Sequence, residues 1–275
     1  MEIEVLLDLI ELILTQKDEF DHFVENLAKK NFVIDEEDLL AVTKMRQFEL
    51  VRFVLKSGVK PTLSSFRYAA EHDFFELCSL FVEFGSREIL STPELEKELI
   101  LAIEGNLQEK AINLINLGVN PTTDGNFAIQ TASNRGYLVV VRLLLKHGAD
   151  PTTDDNLAIQ MASVGGHAEI VQLLLDKGAN SKSDDNYAIR WASTNGHFGV
   201  VHLLLDNGAD PTSKYNMSIK RASERGHLEV VRLLLNNNSK YKVDPAAGNN
   251  YAIKNASGPD KDAIIELLKS RGASL

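Results

Sequence analysis

The chain has 275 residues, of which 44% are hydrophobic and 25% charged, with a formal net charge of −10. Its single cysteine, Cys78, rules out an internal disulfide, and the negative charge disfavours a general nucleic-acid binder. The charge is uneven: residues 1–38 hold 12 acidic and 3 basic side chains, a net −9, which leaves the remainder close to neutral. The start, MEIEVLLDLIELIL, lacks a basic leader region, and acids interrupt its apolar run. Neither a secretory signal nor a membrane span is therefore expected, and a soluble protein of a reducing, cytoplasmic compartment is.

In chain order, Val5, Leu6, Leu9, Ile10 and Ile13 fall at helical spacing, and Phe20, Phe23, Val24 and Leu27 repeat it. Residues 1–38 therefore read as an acidic helical hairpin, a cap or a degenerate first repeat. Residues 39–123 read as worn helix-pair repeats. Phe48–Gly58, Phe74–Gly85 and Asn106–Gly118 each show a second helix closed by glycine, which reaches the left-handed conformation without steric cost. Ser91-Thr-Pro-Glu reads as a helix start, with proline in the first turn. Pro61, Pro121, Pro151 and Pro211 follow three residues after closing glycines and bar helix continuation.

Residues 124–238 state one sentence four times, with Asn126, Asn156, Asn186 and Asn216 marking a period of 30. A fixed period in this range marks a stacked repeat array. The asparagines stand just before a helix and read as its N-caps. Residues 239–249 read as a loop insertion, because Asn216 to Asn250 spans 34 residues. Residues 250–275 read as a capping repeat.

The run at Gly196–Asp210, Gly-His-x-x-Val-Val-x-Leu-Leu-Leu-x-x-Gly-Ala-Asp, resembles the ankyrin repeat. The usual Thr-Pro-Leu-His opening is replaced by Phe127-Ala-Ile-Gln and its counterparts, and each unit is about three residues short of the common length of roughly 33. The abbreviated wording is similar to ankyrin proteins abundant in giant DNA viruses of amoebae and in some intracellular microbes. The resemblance implies an all-α solenoid of about eight to nine helix-pair repeats with shortened hairpin fingers. It also implies that the first helix of each unit lines a concave binding surface, and that His167, His197 and His227 support the turn. A metal reading of these histidines fails on distance: stacked units hold equivalent atoms about 10 Å apart, whereas ligands must converge at about 2 Å.

At 100° per residue, Ala128, Ile129, Ala132 and Ser133 share one arc of the first helix, and Phe127, Gln130, Thr131 and Asn134 share the other. The first arc barely changes between units, and its small residues let neighbouring helices approach. The second varies throughout: Leu157/Gln160/Met161/Val164, then Tyr187/Arg190/Trp191/Thr194, then Met217/Lys220/Arg221/Glu224. Constant beside variable reads as scaffold beside recognition surface. The candidate interface is Phe127, Thr131, Tyr187, Arg190, Trp191, Met217, Lys220, Arg221 and Arg225, rich in the residue types that dominate protein–protein hot spots. Its basic ridge favours a partner bearing carboxylates.

No phosphate-cradling glycine loop, nucleophile elbow or zincin histidine pair is present. The expectation is a non-enzymatic, monomeric interaction scaffold without cofactor or metal, binding a protein rather than nucleic acid or membrane. The alternative is a substrate adaptor whose N-terminal helices recruit a ubiquitin-ligase or signalling component.

Overall fold

The computed structural model describes residues 35–46, 48–85, 89–90, 92–237 and 240–275. The expected helical hairpin, and with it the proposed docking role, falls almost wholly on residues 1–34 and so lies outside the described residues. The described residues form sixteen helices and no strands, an all-α arrangement in which consecutive helices pair. Contacts divide the chain after Asn120 into two units.

In the first unit the pairs are α1 (Glu36–Lys44) with α2 (Phe48–Lys56), α3 (Leu63–Glu71) with α4 (Phe75–Glu83), and α5 (Pro93–Glu104) with α6 (Gln108–Leu117). The first helix of each pair starts for a local cause. The Asp35 carboxylate accepts from the Glu37 and Asp38 amides, and Thr62 and Ser65 close a reciprocal capping box. Pro93 sits in the first turn of α5. First helices pack on first helices and second on second, burying Leu39, Val54, Phe66, Phe81, Leu99, Ile103 and Leu114. Between α5 and α6, Lys110 reaches Glu98 at 2.7 Å with both side chains largely out of water.

Cys78 is fully buried in α4, as its apolar surroundings predict. Burial disfavours the thiolate and pushes its pKa from an ordinary 9.0 to about 12. The thiol should therefore resist DTNB in the native chain and react once denaturant opens the unit. Because the folded state keeps a proton that the unfolded state releases, this group's contribution to stability should fall between pH 9 and about 12. Rapid native-state labelling at neutral pH would contradict the burial.

The second unit holds five pairs: α7 (Thr123–Arg135) with α8 (Leu138–Lys146), α9 (Thr153–Gly165) with α10 (Ala168–Asp176), α11 (Ser183–Thr194) with α12 (Phe198–Asp206), α13 (Ser213–Glu224) with α14 (Leu228–Asn236), and α15 (Ala247–Lys254) with α16 (Lys261–Ser270). Odd-numbered helices form one layer and even-numbered helices the other. Ala128, Ile129, Ala132 and Ser133, with their equivalents in the next three pairs, are buried as their shared arc predicts.

The hydroxyls of Ser133, Ser163, Ser193 and Ser223 are buried there without a hydrogen bond. Their small size serves the close helix approach, but the oxygen carries an uncompensated desolvation cost. Ser193→Ala is expected to raise stability by about 1 kcal/mol in chemical unfolding; destabilisation would reveal a partner for that oxygen.

The recurring asparagines do something other than cap. Each odd helix opens on three consecutive left-handed residues, such as Asp154, Asp155 and Asn156 with φ of 48°, 56° and 63°. Aspartate, asparagine and glycine tolerate this region best; Lys214 and Tyr215 occupy it in α13 without that tolerance. None of these helices has a side-chain cap bond. Instead the asparagine Oδ1 accepts the backbone N–H at the head of the next turn. Asn126 takes Asp150 at 2.9 Å, Asn156 takes Asn180 at 2.7 Å and Asn186 takes Asp210 at 2.7 Å, each 24 residues on. Asn216 takes Asp244, 28 residues on, and Asn250 takes Ser274, again 24 on. The four additional residues therefore precede Asp244, and the pattern resumes behind them. Where α14 ends without the glycine closure of its neighbours, Arg271 donates to the Leu235 carbonyl at 3.2 Å.

Candidate functional site

The faces that packing leaves uncovered on α11 and α13 enclose a shallow cleft of about 290 Å³, lined by Arg190, Trp191, Thr194, Met217, Arg221 and Arg225. Trp191 is 38% exposed, a large indole left in water by the fold itself. Its ring lies 5.7 Å from that of Tyr187, one helical turn earlier, so the two aromatics hold one another. Met217 is half-buried and Arg221 and Arg225 are exposed. Thr194 is buried, its hydroxyl donating to the Arg190 carbonyl at 2.7 Å.

Charge within the cleft is lopsided. Arg221 Nη1 meets Glu224 Oε2 at 2.6 Å, and the Tyr251 hydroxyl donates to that same oxygen at 3.4 Å. Arg225 donates to the Asn195 amide oxygen at 3.3 Å and, among the described residues, has no carboxylate partner. Nearby, Lys214 and Asp185 join adjacent left-handed turns at 2.5 Å, and that lysine holds the Asp185 carboxyl below the usual carboxylate range.

Of the residues expected at the interface, Arg190, Trp191, Met217, Arg221 and Arg225 line the cleft, with Tyr187 against its wall. Lys220 is turned away, toward Gly248 and the Tyr251 ring. Phe127, 39% exposed, and half-buried Thr131 sit two repeats earlier on α7 and do not join it. The outward expectation fails at Thr194, which is buried, and at one position of the arc throughout. Gln130 and Gln160 are buried, donating to the Gly125 and Asp155 carbonyls at 3.0 and 2.7 Å. Arg190 follows them: its Nε donates to the Asp185 carbonyl and its Nη2 to that of Asp184, both at 3.0 Å. The left-handed turn aims carbonyls sideways, and a long donor at this position folds back to meet them. Arg190 therefore brings charge to the cleft wall but is not a free arm. Asn195 was not among the expected residues; it orients Arg225 and also donates to the Val164 carbonyl at 3.0 Å. Its signal was spacing, four residues after Trp191 on the same helix face.

The histidines brace adjacent pairs. His167, His197 and His227 direct Nε2 at the carbonyls of Asn134, Val164 and Thr194 at 3.0, 2.9 and 3.0 Å, each in the preceding repeat. A carbonyl only accepts, so Nε2 carries the proton. Ser257 makes the corresponding bond to Glu224 in the last pair. Among the described residues no three His, Cys, Asp or Glu side chains gather as a metal-ligand set, and no helix is long and apolar enough to cross a membrane.

In the second unit, helix pairs joined by an asparagine bond at every joint, and by a histidine bond at three of them, define an all-α repeat array. Residues 132–215 match the family model of ankyrin repeats, in 3 copies, so that stretch is built of ankyrin repeats. Ankyrin repeats are in general modules for binding other proteins. No curated protein matches the chain.

Proposed function

We propose that the chain is a non-enzymatic scaffold that recognises a protein partner through the exposed faces of the odd-numbered helices in its second unit, centred on the α11–α13 cleft. The observation that carries this reading is Trp191, the chain's one tryptophan, held partly in water beside Tyr187 and Met217 rather than folded into the core. A rigid aromatic that is already ordered loses little entropy on binding, and such residues dominate interface energetics. The reading includes a monomer in a reducing compartment, which the lone buried Cys78 supports.

Replacing Tyr187, Trp191, Met217 and Arg221 together by alanine should abolish partner capture while leaving helicity and unfolding nearly unchanged. Trp191→Ala alone should weaken binding by about 2 kcal/mol or more. Undiminished capture by the fourfold variant would place recognition elsewhere.

A further inference from the structure

Resting on that reading, we propose that the cleft takes an acidic linear segment of the partner, one carboxylate lodging between Arg221 and Arg225 and a neighbouring apolar side chain lying on Trp191 and Met217. Arg221 lies in the last turn of α13 and Arg225 is its C-cap, four residues on, so two guanidinium groups gather at one helix end. Arg221 has Glu224 for a partner, whereas among the described residues Arg225 has the neutral amide of Asn195 and no carboxylate. Three arginines thus line an apolar floor; of the described carboxylates beside them, Glu224 pairs Arg221, and Asp185 pairs Lys214 and faces Arg190. A second carboxylate arriving from outside would pair Arg225 and share Arg221, completing bonds that the fold leaves half made. Charge-assisted bonds to guanidinium are the stronger class, and the fork of each arginine accepts a carboxylate through two parallel donors. The apolar floor adds a second requirement: a segment carrying charge alone would leave Trp191 and Met217 uncovered, so acidic and aliphatic residues must alternate closely.

The test is fluorescence anisotropy of the full chain with a fluorescein-labelled peptide of alternating glutamate and leucine, set against its glutamine counterpart. The acidic peptide should bind at least about tenfold more tightly than the amide, and Arg225→Ala and Arg221→Ala should each remove about fivefold or more of that preference. Raising salt from about 50 to 300 mM should weaken the acidic peptide alone, since the ionic contacts sit at the rim. Trp191→Ala should weaken both peptides. Equal binding of the two peptides, no binding of either, or binding that survives the double arginine variant overturns the proposal. Binding that strengthens when residues 1–34 are removed would assign the cleft to the chain's own acidic start and overturn it too. The two readings fail separately. Partner capture lost in Trp191→Ala but kept in the double arginine variant sinks the acidic segment only, whereas capture indifferent to Trp191 sinks the interface itself.

Discussion

Gly196→Ala is expected to cost about 3 kcal/mol, well beyond a typical glycine-to-alanine change, because two penalties coincide. The residue sits at φ +79°, where an L side chain is strained. A Cβ built there would also lie 2.6 Å from Nδ1 and 2.7 Å from Cε1 of His227 in the next repeat. That ring cannot simply swing aside, because its Nε2 is bonded to the Thr194 carbonyl. Relief of the clash therefore breaks the brace between α11 and the pair α13–α14. The companion variant Gly196→Ala/His227→Ala separates the terms: with the ring gone the overlap vanishes, so the double variant should be less destabilised than the two single costs summed. Chemical unfolding followed by helical circular dichroism reads both. A Gly196→Ala cost under about 1 kcal/mol would mean that the repeats are not pressed together at this point.

Asn186→Ala is the second large effect, at about 2–3 kcal/mol, and it also has two parts. Alanine at φ +60° is strained, and the Asp210 amide loses its acceptor. Asn186→Gly keeps the backbone conformation while removing the same acceptor, so it should cost about 1 kcal/mol. The ordering alanine worse than glycine is the signature of a left-handed position. An N-cap in ordinary extended backbone would also prefer glycine to alanine, so the ordering alone does not decide. The deciding measurement is amide hydrogen exchange at Asp210, which should lose protection in both variants if the bond runs to the next turn, and in neither if Asn186 caps its own helix.

These two positions show what could and could not be read from the residues. The stacking of helix pairs was legible because period 30 and the 3.6-residue rhythm are both written plainly, from Phe48–Gly58 onward. The burial of Ala128, Ile129, Ala132 and Ser133 followed from the same rhythm. So did the meeting of Trp191 with Met217, Arg221 and Arg225, which lie on equivalent arcs of adjacent helices. The asparagines were misread because a short polar residue ahead of a helix serves equally as a cap or as a left-handed link, and local composition does not separate the two. The error then spread to position 130 and its equivalents. A helical wheel places Gln130, Gln160 and Arg190 outward, but it cannot show that three left-handed residues upstream turn their carbonyls toward those side chains. Lys214 and Tyr215 would have misled any composition rule, since neither residue type marks a left-handed turn.

Every bond of the asparagine ladder joins a residue to another about one repeat later. Excising residues 157–186 would set Asn156 twenty-four places ahead of the former Asp210, the same offset that joins Asn186 to Asp210 now. Such a product would keep the asparagine-to-amide bond at the seam. Losing one whole repeat would therefore change which side chains are displayed while the asparagine bond across that joint is kept.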